Sequence, residues 1–255
     1  MLTTSLYNLY TSPLEQFLVF NIFNLFSIKG VKFTNLALNF FFVIFFITFL
    51  FYNSNYKIYL FNNKNKILEL IFSFLKNLFK ENVIVSRPYL FGYIFFVFVI
   101  ILFSNILGLI PFSYTITSSI IFTFFFSISS FININITGFR IHGLKFFNIF
   151  LPSGAPTPIV PFLVIIEFIS YNARVFSLAI RLFANMMSGH ILLKILASAT
   201  WALLYIYFPV SILITWLPLL VLLIITGLEL CIAFLQAYVF VTLLCIYFNE
   251  SINLH

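Results

Sequence analysis

EFISYNARVFSLAIRLFANMMSGH, residues Glu167 to His190, decides the fold, because it sets ionisable side chains in the middle of a long apolar run. An arginine at the centre of a membrane helix costs roughly 2.5 to 3.5 kcal/mol on insertion scales, so such residues face a partner or a wet cavity. Arg181 is the residue to explain, since its nearest loop is at least ten residues away.

At 100° per residue, Glu167, Arg174 and Arg181 recur every seven residues and drift by only about 20° per step, so they share one helix face. Asn185 follows one turn after Arg181 on the same side. His190 falls on the opposite face, about 13.5 Å further along the axis. A cation therefore separates titratable groups on either side of it. In the last apolar run Glu229 and Gln236 are also seven apart and give a second polar face. Arg174 reads either as an interfacial or structural ion-pair residue or as part of this charged face, and Lys194 as snorkelling near a helix end. Glu229 reads also as a hydrogen-bonded structural carboxyl and His190 as a satisfied interior histidine, while His142 and His255 look like loop and terminus residues.

Composition sets the class. With 63% hydrophobic residues, 7% charged and a mean hydropathy of +1.15, 255 residues exceed what a soluble core can hide, and several runs reach the roughly 20 residues that span a bilayer. Transmembrane strands would alternate in about 10-residue segments, whereas Phe40 to Phe51 and Tyr93 to Leu107 are apolar all round. An all-α, polytopic membrane protein is expected. The first 27 residues carry Glu15 and no basic cluster, so they resemble neither a secretory signal nor an Arg-rich transit peptide, and insertion where the chain is made is expected. Thirty-nine Phe, many Ile, Asn, Tyr and Lys, and only eight Gly suit a strongly A+T-biased genome, which suggests an organelle. Cys231 and Cys245 lie fourteen apart in one apolar stretch, too far for a disulfide along a continuous helix, and read as buried and inert.

Spans place a first helix at about Asn35 to Tyr52 after the N-terminal segment, so that 1–52 forms one unit. A polar, basic stretch, 53–87, follows, in which Ile67 to Phe79 has the spacing of an amphipathic surface helix. A hairpin occupies 88–136, from Pro88 to Ile110 with a stop at Pro111, and from about Tyr114 to Ile136. A basic loop at 137–161 carries Arg140, Lys145 and prolines 152, 156, 158 and 161. If 88–136 is a hairpin, the stretches 53–87 and 137–161 share a side, and positive-inside bias makes it the side of synthesis. These loops largely account for the net charge of +7, and no nucleic-acid reading is needed. In 162–255, the runs Ile159 to Leu196 and Ile206 to Phe248 are each about forty residues, too long for one perpendicular span. They are either several ordinary spans or two long, steeply tilted helices, the second starting near Pro218. The whole of 1–255 reads as a single membrane domain.

No hydrolase constellation is visible. The chain has no Asp, scattered His, no ligand-like Cys spacing and no Gly-rich phosphate loop, so no metal or cofactor is expected.

The run from Glu167 to His190, with SLAIRLFAN around Arg181 and Gly189-His190, closely resembles subunit a of F-type ATP synthases, called subunit 6 in mitochondria. SNILGLIP (104–111) resembles that family's early hairpin and ELCIAFLQAYVF (229–240) its last helix, while residues 1–87 match only in pattern. The resemblance implies a multi-pass stator subunit of the mitochondrial inner membrane. Its two long tilted helices would clasp a rotating ring of small proteolipid c subunits, with other ATP synthase subunits and the lipid bilayer as further partners. Such a chain does no ATP chemistry itself. Arg181 is then the family's essential arginine, set between two aqueous half-channels that do not meet. By family position His190 and Glu229 lie in the entry half-channel with Asn185 beside it, Glu167 lies on the exit path, and Gln236 faces Arg181 from the other long helix. Arg174 and Asn105 take structural or accessory places. Bacterial relatives tend to carry a carboxylate where His190 stands and a His where Glu229 stands, so this chain has the swapped, mitochondrial-looking pair. The rival classes are a secondary transporter or channel using Arg181 as a counter-ion, and a purely structural assembly subunit, which leaves Arg181 unexplained.

Overall fold

The computed structural model describes residues 13–23, 33–52, 63–83, 88–110, 113–151, 159–206 and 211–253. The expected stop at Pro111, prolines 152, 156, 158 and 209, His255 and parts of the first basic stretch lie outside these residues. Among the described residues six α-helices carry the fold: α1 (Asn35–Tyr52), α2 (Asn63–Asn82), α3 (Pro88–Gly108), α4 (Ile120–His142), α5 (Val160–Ile206) and α6 (Ser211–Ile252). Short 3₁₀ turns at Pro13–Phe17, Ile116–Ser118 and Gly143–Phe150 supplement them, and a minimal antiparallel ribbon pairs Asn21–Phe23 with Phe33–Thr34. The architecture is all-α. Among the described residues, four helical stretches are long and apolar enough to cross a membrane, and Asn35–Phe49 is a shorter apolar helix.

Helix α3 is the centre of the bundle: 56% of its apolar window is buried, against 11% for α6. Ile94, Val97, Phe98 and Ile101 lie fully inside. It runs antiparallel to α6, with Tyr93 edge-on to Phe248 at 6.3 Å and Phe98 edge-on to Phe234 at 6.2 Å. Helix α4 turns back along α3, where the Tyr93 hydroxyl donates to Ser130 Oγ at 3.1 Å. Its other side meets α5, where Phe131 lies 4.9 Å from Tyr171 and the Tyr171 hydroxyl donates to Asn135 Oδ1 at 2.5 Å. Helix α2 is amphipathic, as its spacing predicts. Leu75, Leu78 and Phe79 are buried, Phe74 meets Tyr238 of α6, and Lys76, Lys80 and Glu81 face outward. Helix α1 leans on α3 through Phe46 and Phe103, and its Asn39 amide donates to Tyr114 O at 2.7 Å.

His142 Nε2 meets the Ile252 carbonyl at 2.7 Å, so α4 and α6 end on one side. The start of α3 lies there too, where Tyr93 meets Phe248.

Three boundaries differ from the sequence reading. The second hairpin helix starts at Ile120 rather than near Tyr114, because hydroxyls in the turn fold back on local carbonyls, Ser118 to Thr115 O and Ser119 to Ile116 O. It then runs on to His142, and Gly143, with φ of 56°, provides the left-handed stop. Most of the expected 137–161 loop is therefore helical; Gly138 lets the Phe146 ring pack against the α4 backbone, holding the 3₁₀ segment down. The last helix begins at Ser211, seven residues before Pro218, which sits inside it. One missing N–H near a helix start removes a single backbone bond, a loss that membrane helices absorb. Cys231 is exposed rather than buried, whereas Cys245 is buried, and both are free.

Of the two geometries for the long runs, the structure has two long helices, of 47 and 42 residues. At 1.5 Å per residue, 47 residues reach about 70 Å, over twice a bilayer core about 30 Å thick. A straight helix of that length stays within the core only if tilted by about 65° from the normal.

Candidate functional site

Small residues stand inside the bundle on both long helices, which pack along one another: Ala179 of α5 and Ala233 and Ala237 of α6 are fully buried. Close backbone approach at small residues is a common way for membrane helices to associate. Around the alanines, Val175, Leu178, Leu182 and Met186 of α5 and Phe240, Val241 and Leu244 of α6 are buried. The two helices are antiparallel, and their polar residues meet in register at three levels.

At the first level, Arg174 pairs with Glu250 and its guanidinium lies over two rings, 5.6 Å from Tyr171 and 5.0 Å from Tyr247. At the second, Asn185 Nδ2 donates to Gln236 Oε1 at 2.8 Å. At the third, Gly189 presses against Glu229, and the carboxylate is 6% exposed. His190, Asn185, Glu229 and Leu109 line one cavity of about 10 Å³ there, close to the space one water needs. His190 Nε2 and both Glu229 carboxylate oxygens have no hydrogen-bond partner in the protein.

Arg181 lies between the first and second levels. It is half-buried, and among the described residues no hydrogen bond or ion pair engages its guanidinium. Glu167 is half-buried two turns before Arg174. The order along α5 is thus a carboxylate, a paired arginine, a free arginine, an amide pair and an imidazole beside a carboxyl. Such a line can bind protons at both ends while its central cation repels a proton passing straight through.

Of the residues singled out in the sequence, the structure brings Asn185 to Gln236 and His190 to Glu229. His190 and Asn185 open on the same cavity, although their angular separation is about 140°, because α6 crosses the face between them. Asn105 is fully buried and its amide donates to Ala233 O at 3.2 Å, tying α3 to α6 one turn from Glu229. Glu250, which neutralises Arg174, escaped sequence reasoning because it stands near the chain end in a polar context, where carboxylates are unremarked. Tyr171 and Tyr247 escaped because they are two among thirteen tyrosines. Gly189 was legible only within a motif, not for the space it leaves.

Comparison with known proteins is consistent over most of the chain. The family model described as ATP synthase A chain matches residues 33–249. ATP synthase subunit a of Chondrus crispus is 45% identical over 250 residues, covering 96% of this chain and 97% of its own length. That of Marchantia polymorpha is 47% identical over 197 residues, covering 76% of this chain and 78% of its own. That of Pelagibacter ubique (strain HTCC1062) is 39% identical over 249 residues, covering 96% and 99%.

Proposed function

The chain belongs to the ATP synthase A chain family, as a membrane-sector subunit of ATP synthase, and from that premise we propose that it is the proton-translocating stator. In this reading residues 1–255 act as one membrane unit that offers protons two offset half-channels. Glu229, His190 and Asn185 form the entry path, Glu167 belongs to the exit path, and Arg181 separates them. Gln236 holds Asn185 in place one turn from Arg181. Arg174, committed to Glu250, joins the two long helices rather than meeting the moving proton.

The observation that carries this reading is an arginine that, among the described residues, has no hydrogen bond or ion pair and stands on one long helix between Glu167 and the His190 and Glu229 pair. A carboxylate on a rotating ring of c subunits, arriving from the α5 flank, would meet Arg181. At an effective dielectric of 20, unit charges 4 Å apart attract by about 4 kcal/mol, enough to hold that carboxylate ionised until rotation carries it away. Protons then cross by turning the ring, and each brings roughly 2.3 kcal/mol per 100 mV of membrane potential.

An exposed flank supports a large partner. Phe176 and Ile180 of α5 and Leu228 and Leu235 of α6 lie open beside the polar line. A self-contained transporter would close its own helices around this line, so the ring reading is favoured over it. The A+T-biased composition supports a chain made in an organelle and a place in the mitochondrial inner membrane.

Gentle detergent extraction, a native gel and mass spectrometry of co-migrating chains test the reading. A ring-forming proteolipid and the catalytic ATPase subunits are expected in the same large complex. The chain running alone, or with unrelated membrane proteins, would overturn it.

A further inference from the structure

Among the described residues, the buried side-chain polar atoms with no partner in the protein are Asn105 Oδ1, Thr115 Oγ1, Thr117 Oγ1, His190 Nε2 and the two Glu229 carboxylate oxygens. Buried polar atoms are nearly always paired, by protein or by held water, so a group of them in one place points to water. They come from α3, the turn before α4, α5 and α6, elements that pack against one another.

The links are explicit. Asn105 bonds to Ala233 O, and Ala233 is one turn from Glu229 on α6. One turn beyond Asn105, Gly108 packs against Thr115, where an added β-carbon would stand 2.6 Å from Thr115 Cγ2. The next residue, Leu109, lines the cavity of His190 and Glu229. The Ile116–Ser118 turn packs against both α3 and α5. Neighbouring hydroxyls are occupied: Ser113 Oγ donates to Leu107 O at 2.7 Å, Ser118 Oγ to Thr115 O at 2.6 Å and Ser119 Oγ to Ile116 O at 2.7 Å. Thr115 and Thr117 are the exceptions, at 4% and 0% exposure, in the turn before α4.

We propose that the Thr115–Ser118 turn lines a file of waters leading protons to Glu229 and His190, with the Thr115 and Thr117 hydroxyls holding those waters in line. This rests on the proton-path reading above and adds two positioning residues to it. A hydroxyl both accepts and donates, so each threonine orders the waters on either side of it and stays neutral while the proton passes between waters. Thr115 and Thr117 are the residues of the turn whose hydroxyls are free for this.

Thr115→Val and Thr117→Val remove the hydroxyls at nearly constant shape, and Thr→Ser at each position keeps them. ATP-driven proton uptake into vesicles carrying the assembled complex is the readout, with Glu229→Gln in parallel. Uptake slowed about fivefold or more by the valine pair, and restored by the serine pair, is expected. Wild-type uptake in the valine pair while Glu229→Gln is slow overturns this inference alone. Wild-type uptake in Glu229→Gln overturns the path reading beneath it. If the valine variants do not assemble, a cryo-EM map of the wild-type complex that resolves waters decides: waters bonded to both hydroxyls support the file, and dry apolar packing at both contradicts it.

Discussion

The backbone of Gly189 in α5 rests against the side chain of Glu229 in α6, so closely that a β-carbon at Gly189 would stand 2.7 Å from Glu229 Oε1. Nothing else about position 189 calls for glycine in a helix, where glycine costs about 1 kcal/mol relative to alanine. Its presence gives the carboxyl room beside His190.

Gly189→Ala therefore pushes the Glu229 carboxyl aside. The clash is with the flexible end of a side chain, so assembly is expected to survive. Proton pumping is expected to fall about tenfold, the scale of 1.4 kcal/mol on a barrier. Vesicle acidification with the amount of assembled complex measured in parallel checks this; unaltered pumping would show that Glu229 needs no such room.

The Arg174 and Glu250 pair joins α5, about four turns from its start, to the end of α6. Both side chains are partly exposed, so the pair is worth about 1 kcal/mol or less. Glu250→Gln is expected to lower the thermal stability of the purified complex slightly, and the exchange Arg174→Glu with Glu250→Arg to recover part of that loss. A loss that the exchange does not recover would mean that Arg174 acts on something other than Glu250.

Gly138 and Phe146 form a steric pair, with the ring occupying the space a β-carbon would need. Gly138→Ala is expected to destabilise by about 1 to 3 kcal/mol, as overpacking does. Adding Phe146→Ala relieves the clash, so the double variant should lose less than the sum of the singles, read from thermal unfolding in detergent. Strict additivity would contradict the contact.

Arg181, Glu167 and His190 stand out in the sequence as ionisable groups in an apolar run, and Asn185 by its helical spacing from Arg181. The helix at Asn35–Tyr52 and the amphipathic α2 were legible because periodicity and composition act locally. What was not legible depends on tertiary contact. Pro218 signals a break, yet the helix around it continues. The 137–150 stretch reads as a loop from its charge, yet Gly138 and Phe146 fold it into helix and 3₁₀ turn. Glu250 and Thr117 carry no local pattern; only the packing of distant helices shows that one meets Arg174 and that the other is buried without a partner.

Arg181→Ala, measured for ATP-driven proton pumping and for passive proton leak in vesicles carrying the assembled complex, tests the central claim most directly. The account predicts no coupled pumping, because a ring carboxylate would no longer be held ionised between the two paths and protons could slip past. Coupled pumping at the wild-type rate, with the complex intact, would contradict it.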